Sequence, residues 1–271
     1  MISERRVNKT VLARKLGVSR SSLYYRPKLP GKDAVLKEEI LGVLRDNPSY
    51  GHRRVAIALG INRKRARRIM KLYGIKPYKR KTRWKKRRDM RREAMPYENK
   101  INGICPTVPG YAYVCDFTHI TYYSKPLYLA TFMDLYTREI VDREVSNRHT
   151  KELVLRALMD AVLRRGLPQM IHSDQGSEYC SKDYTQILSS AGITISMSKK
   201  SSPWENGYQE SFYGNFKTDL GLEFERFNGI GELIEAIHHT INYYNNERIH
   251  TSLRMSPAKF RRLHENLRQG V

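Results

Sequence analysis

The stretch YAYVCDFTHITY, residues 111–122, alternates aromatic and β-branched side chains with polar ones, which is the period of a strand. In its middle stands Asp116. A carboxylate among apolar and aromatic neighbours is costly unless it is paired or faces a cation, so this strand is both core and candidate site. Two similar runs follow closely, LYLATFMDLY at 127–136 and EIVDREVS at 139–146, and the short turns between them predict an antiparallel meander. Next comes a helical pattern over Thr150–Arg165, capped by Thr150 and stopped by Gly166 and Pro168. A strand at Met170–Ser173, a helix at Ser181–Ala191 and a strand at Ile193–Met197 complete the run. Three strands followed by helix, strand, helix and strand predict an α/β fold, a mixed sheet with helices on its faces.

Two more acids fall at telling places. Asp174 ends the strand after the long helix, in MIHSDQGSEY, where a following Gln175–Gly176 permits a turn. Glu210 lies in WENGYQESFYGNFK, a helix beginning near Pro203 or Trp204 and anchored by Phe212, Tyr213 and Phe216. Lys217 falls two helical turns later on the same face as Glu210. Three carboxylates without a His- or Cys-rich alternative point to hard, oxygen-seeking cations, Mg²⁺ or Mn²⁺. Two such ions roughly 3.5–4 Å apart suit in-line phosphoryl transfer. Competing acids are close by: Asp134 in TFMDLY, Asp142, Glu178 and Asp183. Asp134 is read as a strand-end cap.

Upstream, KTVLARKLGVSRSSLYYR (9–26) reads as helix, Gly17 turn and a second helix capped by Ser19, the helix-turn-helix pattern. Arg20, Ser21, Ser22 and Tyr25 are its candidate groove-facing residues, and Pro27 stops it. A second unit runs from about Lys37 to Pro77. Val55, Ile57, Ala58 and Leu59 form one apolar face, Gly60 ends the helix and Asn62 caps the next. That next helix buries Ala66, Ile69, Met70 and Leu72 and exposes Arg63, Lys64, Arg65, Arg67, Arg68 and Lys71, a face suited to phosphates. The run KRKTRWKKRRDMRR (79–92) reads as a basic arm, with Lys85, Lys86, Arg87 and Arg88 as phosphate contacts around Trp84.

Composition agrees. Fifty Lys and Arg against 27 Asp and Glu give a formal charge of +23, which calls for a polyanion. No apolar run is long enough for a membrane span and no signal core follows Met1. Cys105, Cys115 and Cys180 are widely spaced, as in a reducing cytoplasm, and the absence of paired ligands early in the chain excludes an N-terminal zinc module.

The words CDFTHI, FMDLYTREIV, HSDQGSEY, SKKSSPWENGYQESFYGNFKTD and YYNNERIHTSLRMSPAKF, with 35 residues between Asp174 and Glu210, resemble the OrfB transposases of bacterial insertion sequences of the IS-three family, within the DDE integrase superfamily. SYGHRRV and IKPYKRK extend that resemblance into the second helical unit. It implies a ribonuclease-H-like catalytic domain and two Mg²⁺ or Mn²⁺ ions at Asp116, Asp174 and Glu210. It also implies strand transfer by a DNA 3′-hydroxyl, a Lys217 that touches transposon-end DNA, and Trp204, Asn206 and Gly207 as residues that position the Glu210 helix. Departures are Tyr113 where the family often has Trp, and Cys115 directly before Asp116. The expected organisation is a helix-turn-helix at 1–30, a second such unit at 31–78, a basic arm at 79–108, the catalytic core at 109–220 and a helical extension at 221–271. Expected partners are transposon-end and target DNA, further copies of the chain on that DNA, and a zipper-bearing OrfA protein; the expected location is the bacterial cytoplasm at the nucleoid. Two other readings fit parts of the sequence: a non-catalytic helix-turn-helix regulator, and a metal-dependent nuclease that cuts without joining. Finally, Ile230–Tyr244 reads as a helix packed on the core, and Asn246, Arg248 and His250 after it are candidates to meet phosphate.

Overall fold

A computed structural model describes residues 8–24, 29–79, 97–199, 202–221 and 223–269. Its centre is a five-stranded sheet in the order β3-β2-β1-β4-β5, with β1 at Ala112–Tyr122, β2 at Lys125–Asp134, β3 at Ile140–Ser146, β4 at Met170–Ser173 and β5 at Thr194–Met197. The first three strands form the expected antiparallel meander, and β4 and β5 join parallel to β1. The pleat decides the layers. Ala112 and Val114 of β1 pack with Phe212 and Phe216 of α7 (Gly207–Leu220) and with Leu233, Ile237 and Ile241 of α8 (Ile230–Asn246). Tyr113 and Cys115 face the other way, onto Leu153, Ala157 and Ala161 of α5 (Lys151–Arg165) and Tyr184 and Leu188 of α6 (Lys182–Ser190). This is the mixed, ribonuclease-H-like sheet read from the sequence. No helix among the described residues is long and apolar enough to cross a membrane.

The strand ends are fixed by polar side chains. Asp134 accepts hydrogen bonds from the amides of Gly110, Tyr136 and Thr137 and from the Thr137 hydroxyl, so it caps the β2–β3 turn as expected and is fully occupied there. Asn245, on α8, exchanges two 2.9 Å hydrogen bonds with the backbone of Ile140 and so pins α8 to the start of β3.

The N-terminal elements depart from expectation in detail. The first is α1 (Lys9–Lys15), capped by Asn8 and turned by Gly17 at φ 65°. The second described element, Arg20–Tyr24, is a 3-10 turn rather than an α-helix. Ser19 does accept from the Ser22 amide at 3.2 Å. The second unit is three helices, α2 (Leu29–Asp46), α3 (His52–Ala58) and α4 (Arg63–Leu72), around a core of Leu36, Ile40, Tyr50, Val55, Ala66 and Ile69. In α3, Val55 and Ala56 are buried while Ala58 is exposed, and in α4 Leu72 is 61% exposed. α3 is only seven residues long, so its packing face is set by which residues reach α4, not by the run of apolar letters. Leu72 ends α4, where the helix has already passed its neighbours.

A buried polar network welds this unit to the sheet domain. Arg248 is 2% exposed and pairs with Asp219 of α7. Arg248 also donates to Ser49 at 3.3 Å and to Asn215 at 3.1 Å, and the Ser49 hydroxyl returns to Asp219 at 2.6 Å. The Ile249 amide donates to the Tyr50 hydroxyl at 2.7 Å. The expectation that Arg248 meets phosphate is therefore corrected: its guanidinium is spent inside the protein. Removing one partner of a buried pair leaves the other charge stranded. Arg248→Leu is expected to cost about 3–5 kcal/mol in urea unfolding. Arg248→Leu with Asp219→Leu is expected to cost less than the single change.

Candidate active site

The register of β1 and β4 brings two of the acids together. Val114 pairs with His172 in the parallel ladder, and two residues further along each strand stand Asp116 and Asp174. Two residues is one pleat period, so both carboxylates leave the sheet on the same side as Val114, the side covered by α7. Asp116 stands in mid-β1, just past the last pair of the parallel ladder at Val114, and Asp174 directly follows the end of β4 at Ser173, where the chain turns away.

Glu210 is delivered by α7, which is seamed to β1 by side chains on its inner face. The Asn206 amide, just before α7, donates to the Cys115 carbonyl at 3.2 Å. Gln209 donates to the Val114 carbonyl at 2.6 Å, and the Tyr213 hydroxyl donates to the Asp116 carbonyl at 2.6 Å. Thr131, opposite Asp116 on β2, donates to Gln209 at 3.1 Å and meets the Tyr213 hydroxyl at 2.8 Å. Gln209 is completely buried and satisfied at both ends of its amide, so the helix has one seat on the strand. Glu210, the next residue, then emerges on the exposed side. Asn206 is the positioning residue the resemblance implied. Gln209, Tyr213 and Thr131 were missed as such, because nothing in their spacing distinguishes a polar seam from a solvated face. The Trp204 side chain lies outside the described residues.

The electrostatics show the three acids in one field. Burial, then the Asp174 carboxylate, push Asp116 up to about 7, and Glu210 adds to the push; the Phe117 amide and the Lys217 ammonium oppose it. Burial also raises Asp174, against the Gly176 amide. Lys217 donates to the His119 carbonyl at 2.9 Å, along β1 from Asp116. Around Asp174 lies an outer ring. A side chain at Gly176 would put its Cβ 3.1 Å from both the Asp174 and Glu178 carboxylates, which would have to give by a few tenths of an ångström. Glu178, buried, pairs with His149 at 2.9 Å, and the His149 ring lies 4.1 Å edge-on from Phe117. His149 carried no signal in the sequence, since its partners are remote along the chain. The competing Asp142 is held by Arg164 at 3.0 Å and Asp183 by Lys151, both away from this cluster.

The donor set, three carboxylates that repel one another, fits a hard divalent cation in kind. The oxygens do not yet converge. Asp116 accepts from the Phe117 amide at 2.8 Å and Asp174 from the Gly176 amide at 2.9 Å. Among the described residues no three acidic, imidazole or thiol side chains enclose a metal position.

Of the candidate DNA contacts, Arg63, Lys64, Arg67 and Lys71 are exposed on α4. Arg68 is exposed as well, and its two terminal guanidinium nitrogens donate to the buried Asp33. Arg20, Ser21 and Ser22 are exposed, with the Ser21 and Ser22 hydroxyls each 2.8 Å from that of Ser19. Tyr25, Trp84, Lys85, Lys86, Arg87 and Arg88 lie outside the described residues.

Comparison with known proteins matches residues 106–203 and 191–257 to two family models, each described as an integrase core domain. The chain is 35% identical to a 31 kDa protein of insertion element IS600 from Shigella sonnei, covering 90% of this chain and 95% of that one. It is 33% identical to the transposase of insertion sequence IS904 from Lactococcus lactis, covering 81% and 90%. A chain of the simian T-cell lymphotropic virus intasome shares the fold at a TM-score of 0.51 and 17% identity, over 78% of this chain and 70% of that one.

The raised Asp116 makes a stability prediction. The folded chain keeps that proton to about pH 7, whereas an unfolded aspartate loses it near pH 4. Between those values the folded state binds more protons, so stability falls as pH rises through the window. Asp116→Asn carries no such penalty. Without divalent cations it is expected to be more stable than the parent by about 2–4 kcal/mol at pH 8, with the gap closing by pH 4. An equal gap at both pH values in denaturant titrations would contradict the assignment.

Proposed function

Because this chain belongs to the transposases of bacterial insertion sequences with an integrase core, we propose that it cuts and joins DNA at three carboxylates, Asp116, Asp174 and Glu210. The observation that carries the assignment is the pairing of β1 with β4 that sets Asp116 beside Asp174, with the charges of both Asp174 and Glu210 bearing on the Asp116 carboxyl. Asp116, Asp174 and Glu210 would hold Mg²⁺ or Mn²⁺, two ions per site. When bound, such ions lower the pKa of the attacking oxygen and stabilise the leaving one.

The protein's own part is placement. The Gln209–Thr131 seam holds the Glu210 helix at one height above β1, so the acids present a fixed negative surface. Water serves as the first nucleophile and frees a 3′-hydroxyl at an element end; that hydroxyl then attacks a second phosphodiester. No side chain is needed as general base, and the buried Cys115 thiol, pushed far up by burial, is no nucleophile. Lys217 lies beside the acids, where an end phosphate would approach. Arg63, Lys64, Arg67 and Lys71 on α4 grip backbone phosphates, without reading sequence. We assign Arg20, Ser21, Ser22 and Tyr25 to base contacts and Lys85, Lys86, Arg87 and Arg88 to phosphates. The five-part division at 1–30, 31–78, 79–108, 109–220 and 221–271 belongs to the same reading. So do assembly of several copies on paired ends, a zipper-bearing OrfA partner, and work at the bacterial nucleoid.

Asp174→Asn is expected to lower cleavage and joining by at least about 100-fold while DNA affinity stays near that of the parent. Labelled element-end DNA with Mg²⁺, with and without chelator, measures both. Joined products from Asp174→Asn would remove Asp174 from the site, and nicks without joining by the parent would favour a nuclease.

A further inference from the structure

α7 shows solvent an arc that begins at Glu210, passes Ser211 and ends at Tyr208. Against the Tyr208 edge, away from the acids, lies a second cluster of charge, this one positive. Arg138, in the β2–β3 turn, sets its guanidinium carbon 4.0 Å above the Tyr208 ring. Its backbone is held in the left-handed region at φ 63°, a conformation rare for a residue with a side chain. The Tyr244 hydroxyl fixes that turn by donating to the Arg138 carbonyl at 3.0 Å. One guanidinium nitrogen of Arg138, Nη1, is buried without a hydrogen-bond partner among the described residues.

Arg54 enters the same neighbourhood from α3. Its Nε donates to the Ile249 carbonyl at 3.0 Å. Arg54 and Arg248 both donate to the Asn215 side-chain oxygen on α7, at 3.4 and 3.1 Å, and the charges of Arg138, Arg54 and Arg248 all bear on the His250 imidazole and the Tyr244 phenol. Asp219 pairs with Arg248, and its charge also reaches Arg54. Neither Arg54 nor Arg138 has an ion pair among the described residues. Arg138, with no ion pair and an idle Nη1, offers what an oxyanion needs, Arg54 adds its charge nearby, and the planar guanidinium fork suits phosphate.

We propose that Arg138 and Arg54 form a phosphate-binding site on the Tyr208 side of α7, occupied by a backbone phosphate of the DNA whose cleavage site lies at Glu210. This rests on the reading of the chain as a DNA-cutting enzyme, and it adds a second grip across the same helix. A duplex lying over α7 would then be held from both edges of the exposed arc. The Tyr208 ring fixes the direction of the Arg138 fork, and the weld at Arg248 fixes Arg54 relative to α7.

The test is DNA binding by the full chain in chelator, where cleavage plays no part, so its failure is separable from failure of the catalytic assignment. The probe is a labelled duplex of arbitrary sequence, titrated over a range of salt. Arg138→Gln is expected to weaken binding about fivefold at moderate salt and to reduce the salt slope by about one. Arg138→Lys keeps the charge and is expected to keep the slope. Should Arg138→Gln fail to fold, Tyr208→Glu, an exposed change that neutralises Arg138 in place, is expected to lower the slope likewise. A slope unchanged in Arg138→Gln or in Tyr208→Glu overturns the proposal, as does a slope lost equally in Arg138→Lys. A second arm measures the melting temperature in inorganic phosphate. Phosphate stabilisation that Arg138→Gln abolishes, with no change in the DNA slope, would mark a site for the free ion and overturn the DNA assignment.

Discussion

A carboxylate in the central strand of a buried sheet constrains everything packed around it. Asp116 is only partly open to solvent there, and burial raises its pKa. Its surroundings answer with polar contacts that are structural and electrostatic at once. The Phe117 amide holds one carboxylate oxygen, while the Asp116 carbonyl is taken by Tyr213. The helix that covers the strand therefore meets it with Asn206, Gln209 and Tyr213 near the acid and with Phe212 and Phe216 further round. An all-apolar helix face would pack equally well but could slide; a satisfied amide such as Gln209 has one register.

The same logic recurs at the junction with the helical unit. Arg248, Asp219, Ser49 and Asn215 form a closed set of donors and acceptors between two regions far apart in sequence. Buried ion pairs contribute little net stability relative to apolar packing, so the value of this one lies in fixing geometry. It holds α4, with its exposed basic face, at a set position relative to α7. The cutting and DNA-holding roles proposed above need a fixed mutual geometry, and α7 meets the helical unit at Ser49 and Arg54 through Asp219 and Asn215.

Charge is distributed by the same division of labour. Acids gather in mid-β1 and just past the end of β4, where burial raises both Asp116 and Asp174. Arginines balanced by carboxylates, such as Arg68 with Asp33, hold the fold. Those left over, on α4 and beside Tyr208, face outward or stay unsatisfied, and a polyanion is the natural complement to both.

Sequence alone determined the sheet and its acids. The period-two runs of β1 to β3 and the capped helices between β3, β4 and β5 are local patterns, and Asp116 and Asp174 were legible because a charge inside or ending an apolar strand violates its own pattern. The role of Asp134 was legible for a related reason, its place at a turn. What tertiary structure decided was the use made of residues whose letters are ambiguous. Arg248 reads as a phosphate contact and is instead an internal partner of Asp219, because a basic residue's role depends on which carboxylate lies nearby in space. Gln209, Thr131 and His149 read as nothing in particular and form the frame of the site. In the first helical pair the second member is a 3-10 turn where the Gly17 turn and the Ser19 cap suggested a helix, since so short an element follows its neighbours. Local periodicity is written within a few residues of itself; a hydrogen bond or ion pair between segments a hundred residues apart is not, and it exists only once the fold has brought them together.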